Sequence, residues 1–146
     1  MHPNPTPDLD APVIAVRGNG PLSGSVTVPG AKNSVLKLMA AALLSDGTSE
    51  LTNVPTIADV AIMGELLEAI GIRIARPERG RLLLTNTGDL TPVAPYELVE
   101  RIRASINVLG PLLARCGHVR LSLPGGDDFG ARPIDMHVAG LEAMGA

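Results

Sequence analysis

The sequence predicts an α/β (α+β) fold built from two copies of a helix–strand–helix–strands unit, the second copy cut short. Segments with helical spacing alternate with short β-branched runs along the chain. Leu67-Glu68-Ala69-Ile70-Gly71 reappears as Leu141-Glu142-Ala143-Met144-Gly145, and Leu43-Leu44 with Gly47 finds its counterpart in Leu112-Leu113 (or Leu113-Ala114) with Gly117. Size agrees with this: 146 residues, 45% hydrophobic, suffice for one sizeable core but not for a second full domain. Sixteen glycines and 13 prolines mean many turns and caps rather than one long bundle.

Met1 to Pro12, with four prolines and no apolar core, reads as a flexible tail and not as a signal peptide. Val13, Ile14 and Val16 precede Gly18-Asn19-Gly20-Pro21, and Ser25-Val26-Thr27-Val28 follows, which predicts a hairpin. The glycines here are spaced one residue too widely for a dinucleotide fingerprint, and a strand follows where a helix is required. Pro29-Gly30 then opens a helix over about 31–46, stopped by Gly47. Val35, Leu36, Leu38, Met39, Leu43 and Leu44 surround most of its circumference, which predicts burial on nearly every side. A short strand at 50–53 leads to an amphipathic helix over 57–70 with Val60, Leu66 and Leu67 inward and Gly71 as its stop. Strands at 72–75 and 82–85, joined through Pro77-Glu78-Arg79-Gly80, complete the unit.

The order then repeats. Pro95 opens a helix running from Tyr96 to Cys116, with a kink expected at Gly110-Pro111 and a stop at Gly117. His118 to Leu123 alternates like a strand, a glycine-rich loop follows, and another helix begins near Pro133. The second copy ends at Ala146, where its next strand is due. An open sheet edge and an uncovered apolar helix face are therefore expected, and with them self-association.

Charge and composition exclude several functions. The chain carries a net charge of −3, has no cluster of Lys or Arg, and holds Tyr96 and Phe129 as its aromatics, so a nucleic-acid partner is not expected. No run approaches the roughly 20 apolar residues of a membrane span. Cys116 is the single cysteine, which suits a reducing compartment and a soluble cytoplasmic protein. No Cys/His metal spacing, nucleophile elbow or zincin motif occurs, and neither metal nor cofactor is expected.

Candidate chemistry gathers at three places. Lys32 stands in a first helical turn, where a cation opposes the macrodipole at a cost of roughly 0.3–1 kcal/mol. It shares a face with Leu36, Met39 and Leu43. A lysine snorkelling from the helix end is one explanation; an anion site made by helix N–H groups, the ammonium and the Asn33 amide is the other. Arg103 lies near Val99, Ile106 and Asn107 and, by the repeat, within one residue of the Lys32-Asn33 level. Two cations could converge there, although a solvated helix arginine has the same pattern. Arg132 and Asp135 flank another helix start, with Asp135 a natural dipole partner, and His137 has no evident role. Pro124 to Gly130 is either an ordinary acidic turn or a lid bearing a carboxylic acid.

Taken together, Val28-Pro29-Gly30-Ala31-Lys32-Asn33-Ser34, Arg103-Ala104-Ser105-Ile106 with Leu109-Gly110-Pro111-Leu112, Leu123-Pro124-Gly125-Gly126, and Gly130-Ala131-Arg132-Pro133-Ile134-Asp135-Met136-His137 resemble the UDP-N-acetylglucosamine enolpyruvyl transferases. The motifs stand in family order from about Val13 to Ala146, and the related shikimate-pathway enzymes do not share this set. The match spans roughly the first third of the family's length. The resemblance implies an inside-out α/β barrel with helices packed within and sheets outside. Residues 13–29 would be strands of a second domain, and 30–146 a domain cut within its second repeat, with repeat one at about 30–94 and the partial repeat at about 95–146.

The resemblance further implies transfer of the enolpyruvyl group of phosphoenolpyruvate to the 3-hydroxyl of UDP-N-acetylglucosamine, the first committed step of peptidoglycan synthesis. Lys32 and Asn33 would hold phosphoenolpyruvate; Arg103, Arg132, Pro133, Ile134, Asp135 and Met136 would hold the nucleotide sugar. Many members have Cys where this chain has Asp127, the proton donor to the methylene carbon. Free Asp titrates near about 3.9, so burial and substrate phosphate must raise it substantially; Asp128 would help and Arg132 oppose. The family's general base lies outside these residues. Two readings follow: the N-terminal part of such an enzyme, inactive alone, or a non-catalytic paralogue binding a nucleotide sugar or a partner chain.

Overall fold

A computed structural model describes residues 14–18, 20–126, 130 and 133–146. Helix α1 (Lys32–Ala41) continues as a single 3-10 turn, Ala42–Leu44, and strand β1 follows at Gly47–Leu51. Helix α2 (Ala58–Ile70) leads to β2 (Arg73–Ala75) and β3 (Leu82–Asn86). The second half holds α3 (Tyr96–Val99), a 3-10 helix over Arg103–Val108, α4 (Leu109–Cys116) and α5 (Asp135–Ala143). This is an α+β arrangement.

Among the described residues the strands form one antiparallel sheet in the order β1-β3-β2. Glu50 pairs with Leu83, and Ile74 with Leu84. Alternation along β3 sends Leu82, Leu84 and Asn86 inward, as a half-buried strand requires. Asn86 is buried without penalty: its Nδ2 donates to the Leu43 carbonyl at 3.1 Å and its Oδ1 accepts from the Gly88 N–H at 2.9 Å. Beneath the sheet, Leu36, Met39 and Leu43 meet Met63, Leu66, Leu67 and Ile70 of α2, with Val99, Ile102, Val108 and Leu112 closing the core from the second half. Each such side chain contributes about 1.5–3 kcal/mol by leaving water, whereas an exposed pair such as Arg81–Glu50 is screened by solvent and adds little. The core therefore sets the geometry.

Several expectations are corrected. The helix beginning at Lys32 ends at Leu44, with Ser45 already extended, so Gly47 opens β1 instead of stopping the helix. It is not buried all round: Leu38 and Leu44 are about half exposed. Residues 14–18 and 20–29 form no strand, and none of the described strands pairs with them; Ile14, Val16, Leu22, Val26 and Val28 are exposed. Segment 118–123 makes one parallel bridge, Val93 to Arg120, in place of a strand. No described side chain of α5 is buried, in contrast to α2.

The largest correction concerns 96–116. The expected single helix is broken at Ile102, whose backbone is extended (φ −143°, ψ 139°), and not at Gly110-Pro111. Pro111 falls in the first turn of α4, where a missing N–H costs nothing. The break is sealed by polar groups. The buried Ser105 hydroxyl lies 3.0 Å from the Val99 carbonyl oxygen and 2.7 Å from that of Ile102, sharing its proton between them. The N–H groups of Gly125 and Gly126 donate to the carbonyls of Val99 and Glu100. A Cβ at Gly125 would stand 1.9 Å from the Glu100 oxygen, so only glycine fits this approach.

Two variants measure the seal by urea unfolding. Ser105→Ala is expected to cost about 1–2 kcal/mol, because both carbonyls keep a backbone donor. Gly125→Ala is expected to cost more than about 2 kcal/mol, because the backbone itself must move. Equal stability of Gly125→Ala and the parent chain would contradict this packing.

Candidate functional site

A cleft of about 480 Å³ opens between the N-terminal half of α1, the first turns of α2 and the 3-10 helix 103–108. Lys32, Asn33 and Lys37 reach it from α1, Asp59 and Ile62 from α2, and Arg101, Arg103, Ala104 and Asn107 from the break and the helix after it. Leu36, in the core, forms part of the floor, and Gly126 lies at the edge. Lys32, Asn33 and Arg103, singled out by sequence, are thus brought together. The convergence arises because the helix break delivers Arg103 at the start of a new helix packed against α1.

Four cations face one carboxylate among the described lining residues. Lys32 Nζ lies 2.8 Å from Asp59 Oδ2. Lys32 opposes the α1 dipole, whereas Asp59 in the first turn of α2 is favoured by its own; the ion pair offsets the former. With the side chains 57% and 26% exposed, it orients the ammonium more than it stabilises the fold. Arg101 bonds Glu65 on α2, tying the connector to the rim. The first turn of α1 has no side-chain cap. Its N–H groups, the ammonium and the amide of Asn33 therefore present donors from one helix end. The chemistry suits an anion with several charged oxygens.

Sequence reasoning missed Lys37, Asp59 and Arg101. Asp59 stands in the first turn of α2, and nothing in its spacing indicates that Lys32 lies opposite. Arg101 stands two residues before Arg103, a signal that becomes useful once the helix is known to break between them. Pro133 and Ile134 precede α5, Asp135 occupies its first turn and Met136 is exposed. None of the four lines the cleft. Asp127 and Arg132 lie outside the described residues, as does Asp128. No group of three or more His, Cys, Asp or Glu side chains clusters for a metal, and no helix is long and apolar enough to cross a membrane, among the described residues.

A sequence model of the EPSP synthase (3-phosphoshikimate 1-carboxyvinyltransferase) family matches residues 16–146. The chain belongs to this family. Within it, the sequence is 54% identical over 134 residues to the UDP-N-acetylglucosamine 1-carboxyvinyltransferase of Jannaschia sp. (strain CCS1), covering 91% of this chain and 32% of that one. The enzyme of the same name from Hyphomonas neptunium (strain ATCC 15444) is 52% identical over the same extent. The chain thus spans about a third of the length of these curated relatives. The crystal structure of the enolpyruvyl transferase NikO from Streptomyces tendae superposes with a TM-score of 0.58 at 29% identity, over 66% of this chain and 22% of that one. The resemblance to UDP-N-acetylglucosamine enolpyruvyl transferases is upheld, and the fold is that of an enolpyruvyl transferase.

The charge balance of the cleft yields a prediction. Asp59→Asn removes its one described carboxylate and should tighten inorganic phosphate binding by about two- to tenfold, the gain shrinking with added salt. Stability should change by less than about 1 kcal/mol. Isothermal titration at two ionic strengths checks this; weaker binding in the variant would show that Asp59 serves to hold Lys32 in place for the anion.

Proposed function

We propose that these residues form the N-terminal part of a UDP-N-acetylglucosamine 1-carboxyvinyltransferase. Such an enzyme transfers the enolpyruvyl group of phosphoenolpyruvate to the sugar 3-hydroxyl with release of phosphate, the first committed step of peptidoglycan synthesis in the cytoplasm. The observation that carries this reading is the cleft, where Lys32, Asn33 and Arg103 meet in a chain more than half identical to enzymes of that name. Both substrates are polyanions. A cavity whose described lining has more cations than carboxylates offsets their desolvation and aligns phosphate with ammonium, amide and guanidinium.

In this reading Lys32 and Asn33 hold phosphoenolpyruvate and Arg103 contacts the nucleotide sugar. Arg132 to Met136 line the sugar nucleotide along the start of α5. Asp127 gives its proton to the methylene carbon, C2 becomes electrophilic, and the sugar hydroxyl adds there as its proton passes to a base outside these residues; the tetrahedral adduct then loses phosphate from C2 and a proton from the new methyl group, which restores the C=C bond. A carboxyl can do this only if it is protonated when substrate is bound, and adjacent phosphate charge favours that state. The domain division proposed is residues 13–29 with a second domain and 30–146 with this one.

The alternative, a non-catalytic binding module, is favoured for the 146 residues by themselves. Helix α5 has no buried side chain, and the described apolar residues of 14–28 are exposed, so both segments lack cover. The isolated chain should bind phosphate without turnover. Phosphate release that requires both phosphoenolpyruvate and UDP-N-acetylglucosamine, measured with the purified chain, would overturn this.

Asp127 is tested in a chimera joining this chain to the remaining two-thirds of a relative. Asp127→Asn should lower turnover by about 10²–10⁴, the usual worth of a positioned acid. An epoxide such as fosfomycin, which alkylates the loop cysteine of other members, should leave the parent chimera active, because a carboxylate is a far weaker nucleophile than a thiolate. Asp127→Cys should remain active and become epoxide-sensitive. Full turnover by Asp127→Asn would shift the donor to another group, with Asp128 the first to examine.

A further inference from the structure

Helix α1 begins without a side-chain cap, and the residues before it form no strand, so its first turn must be fixed by other means. The contact that does so comes from Asn53, between β1 and α2. The Asn53 carbonyl accepts the Gly30 N–H at 3.1 Å, and its Nδ2 donates to the Val28 carbonyl at 3.4 Å. One residue thus grips the incoming chain on either side of Pro29. The approach leaves no spare room: a Cβ at Gly30 would stand 2.1 Å from the Asn53 oxygen.

Asn53 reaches this position in the left-handed region, at φ 54°, the one non-glycine residue there among those described. Asn tolerates that conformation better than other side-chain-bearing residues, and a β-branched residue scarcely does. The next residue is anchored independently, the Val54 N–H donating to the Gly80 carbonyl at 2.9 Å. Asn53 is therefore held from the β2–β3 turn, and the peptide after it cannot drift. Two residues beyond Gly30 stands Lys32, and six beyond Asn53 stands Asp59, its ion-pair partner. The Asn53–Asp59 segment thus holds the start of α1 at two points, the Gly30 backbone and the Lys32 ammonium.

We propose that Asn53 is a positioning residue for the cleft: through its strained backbone and its grip on Val28 and Gly30 it sets where Lys32 and Asn33 present their donors to a bound anion. This rests on the reading of the cleft as an anion site. Asn53 touches no ligand in this scheme; it acts through Gly30.

The test uses the 146-residue chain, inorganic phosphate as probe, and backbone amide NMR for both affinity and hydrogen exchange. Asn53→Val cannot hold the positive φ and should withdraw the carbonyl, raising the phosphate Kd about tenfold and speeding Gly30 exchange while core amides such as Leu67 and Leu84 keep their protection. Asn53→Gly keeps the φ and the carbonyl acceptor, so its Kd should stay within about threefold of the parent. Asn53→Asp keeps the backbone but sets a carboxylate against the Val28 carbonyl, and should bind more weakly than Asn53→Gly; this pair decides the matter if Asn53→Val fails to fold. Lys32→Met is the control for the cleft. If the parent chain binds no phosphate, or Lys32→Met binds as well as the parent, the anion reading falls and the proposal with it. If Lys32→Met weakens binding but Asn53→Val and Asn53→Asp both bind like Asn53→Gly and the parent, the positioning role alone is overturned. Exchange that accelerates equally at Gly30 and in the core would also overturn it, as the mark of a merely structural residue.

Discussion

The burial of α1 is the constraint on which the structure rests. Leu36 and Met39 are almost wholly removed from water, between α2 on one side and the 3-10 helix 103–108 on the other, and Leu43 extends the contact below the sheet. Leu36 also floors the cleft. The separation between the cations of α1 and Arg103 is therefore fixed by how apolar side chains interlock, since interiors pack too densely to yield by an ångström. The ion pairs around the rim refine directions within that frame.

Much of the first half was legible in the sequence. Apolar spacing and Gly71 bounded α2 to within a residue at either end, and β2 and β3 lie within a residue of their expected bounds, whereas β1, expected at 50–53, runs from Gly47 to Leu51 because the helix before it ends early. What failed did so for definable reasons. The 96–116 segment has continuous helical periodicity, and no residue at 100–102 announces a break; the groups that make one tolerable lie at Ser105 and, far along the chain, at Gly125 and Gly126. Residues 14–28 alternate as strands do, but pairing needs a second backbone, which pattern alone cannot supply. Leu38 and Leu44 are apolar yet exposed, a reminder that surface apolar residues are common.

The site was legible in its cations and not in its counter-charge. Lys32, Asn33 and Arg103 stand out as polar groups at places where core faces end, a local property. Asp59 and Arg101 enter the cleft through tertiary placement: one because α2 starts beside α1, the other because the chain turns at Ile102. Local sequence records what a residue can do, while its partners depend on which elements the core brings side by side.

Both key cations stand near a glycine pressed onto a backbone carbonyl: Gly30 on Asn53 ahead of Lys32, and Gly125 on Glu100 ahead of Arg103. An overlap between two side chains can be relieved by a second substitution that shrinks the partner. Here the obstructing oxygen belongs to the main chain, and every amino acid carries it. No suppressor at position 53 or 100 can make room by losing atoms, so a side chain at either glycine is accommodated by moving backbone or not at all. The two glycines are therefore closed to compensated exchange, and sequence drift around this cleft must run through the side chains that line it.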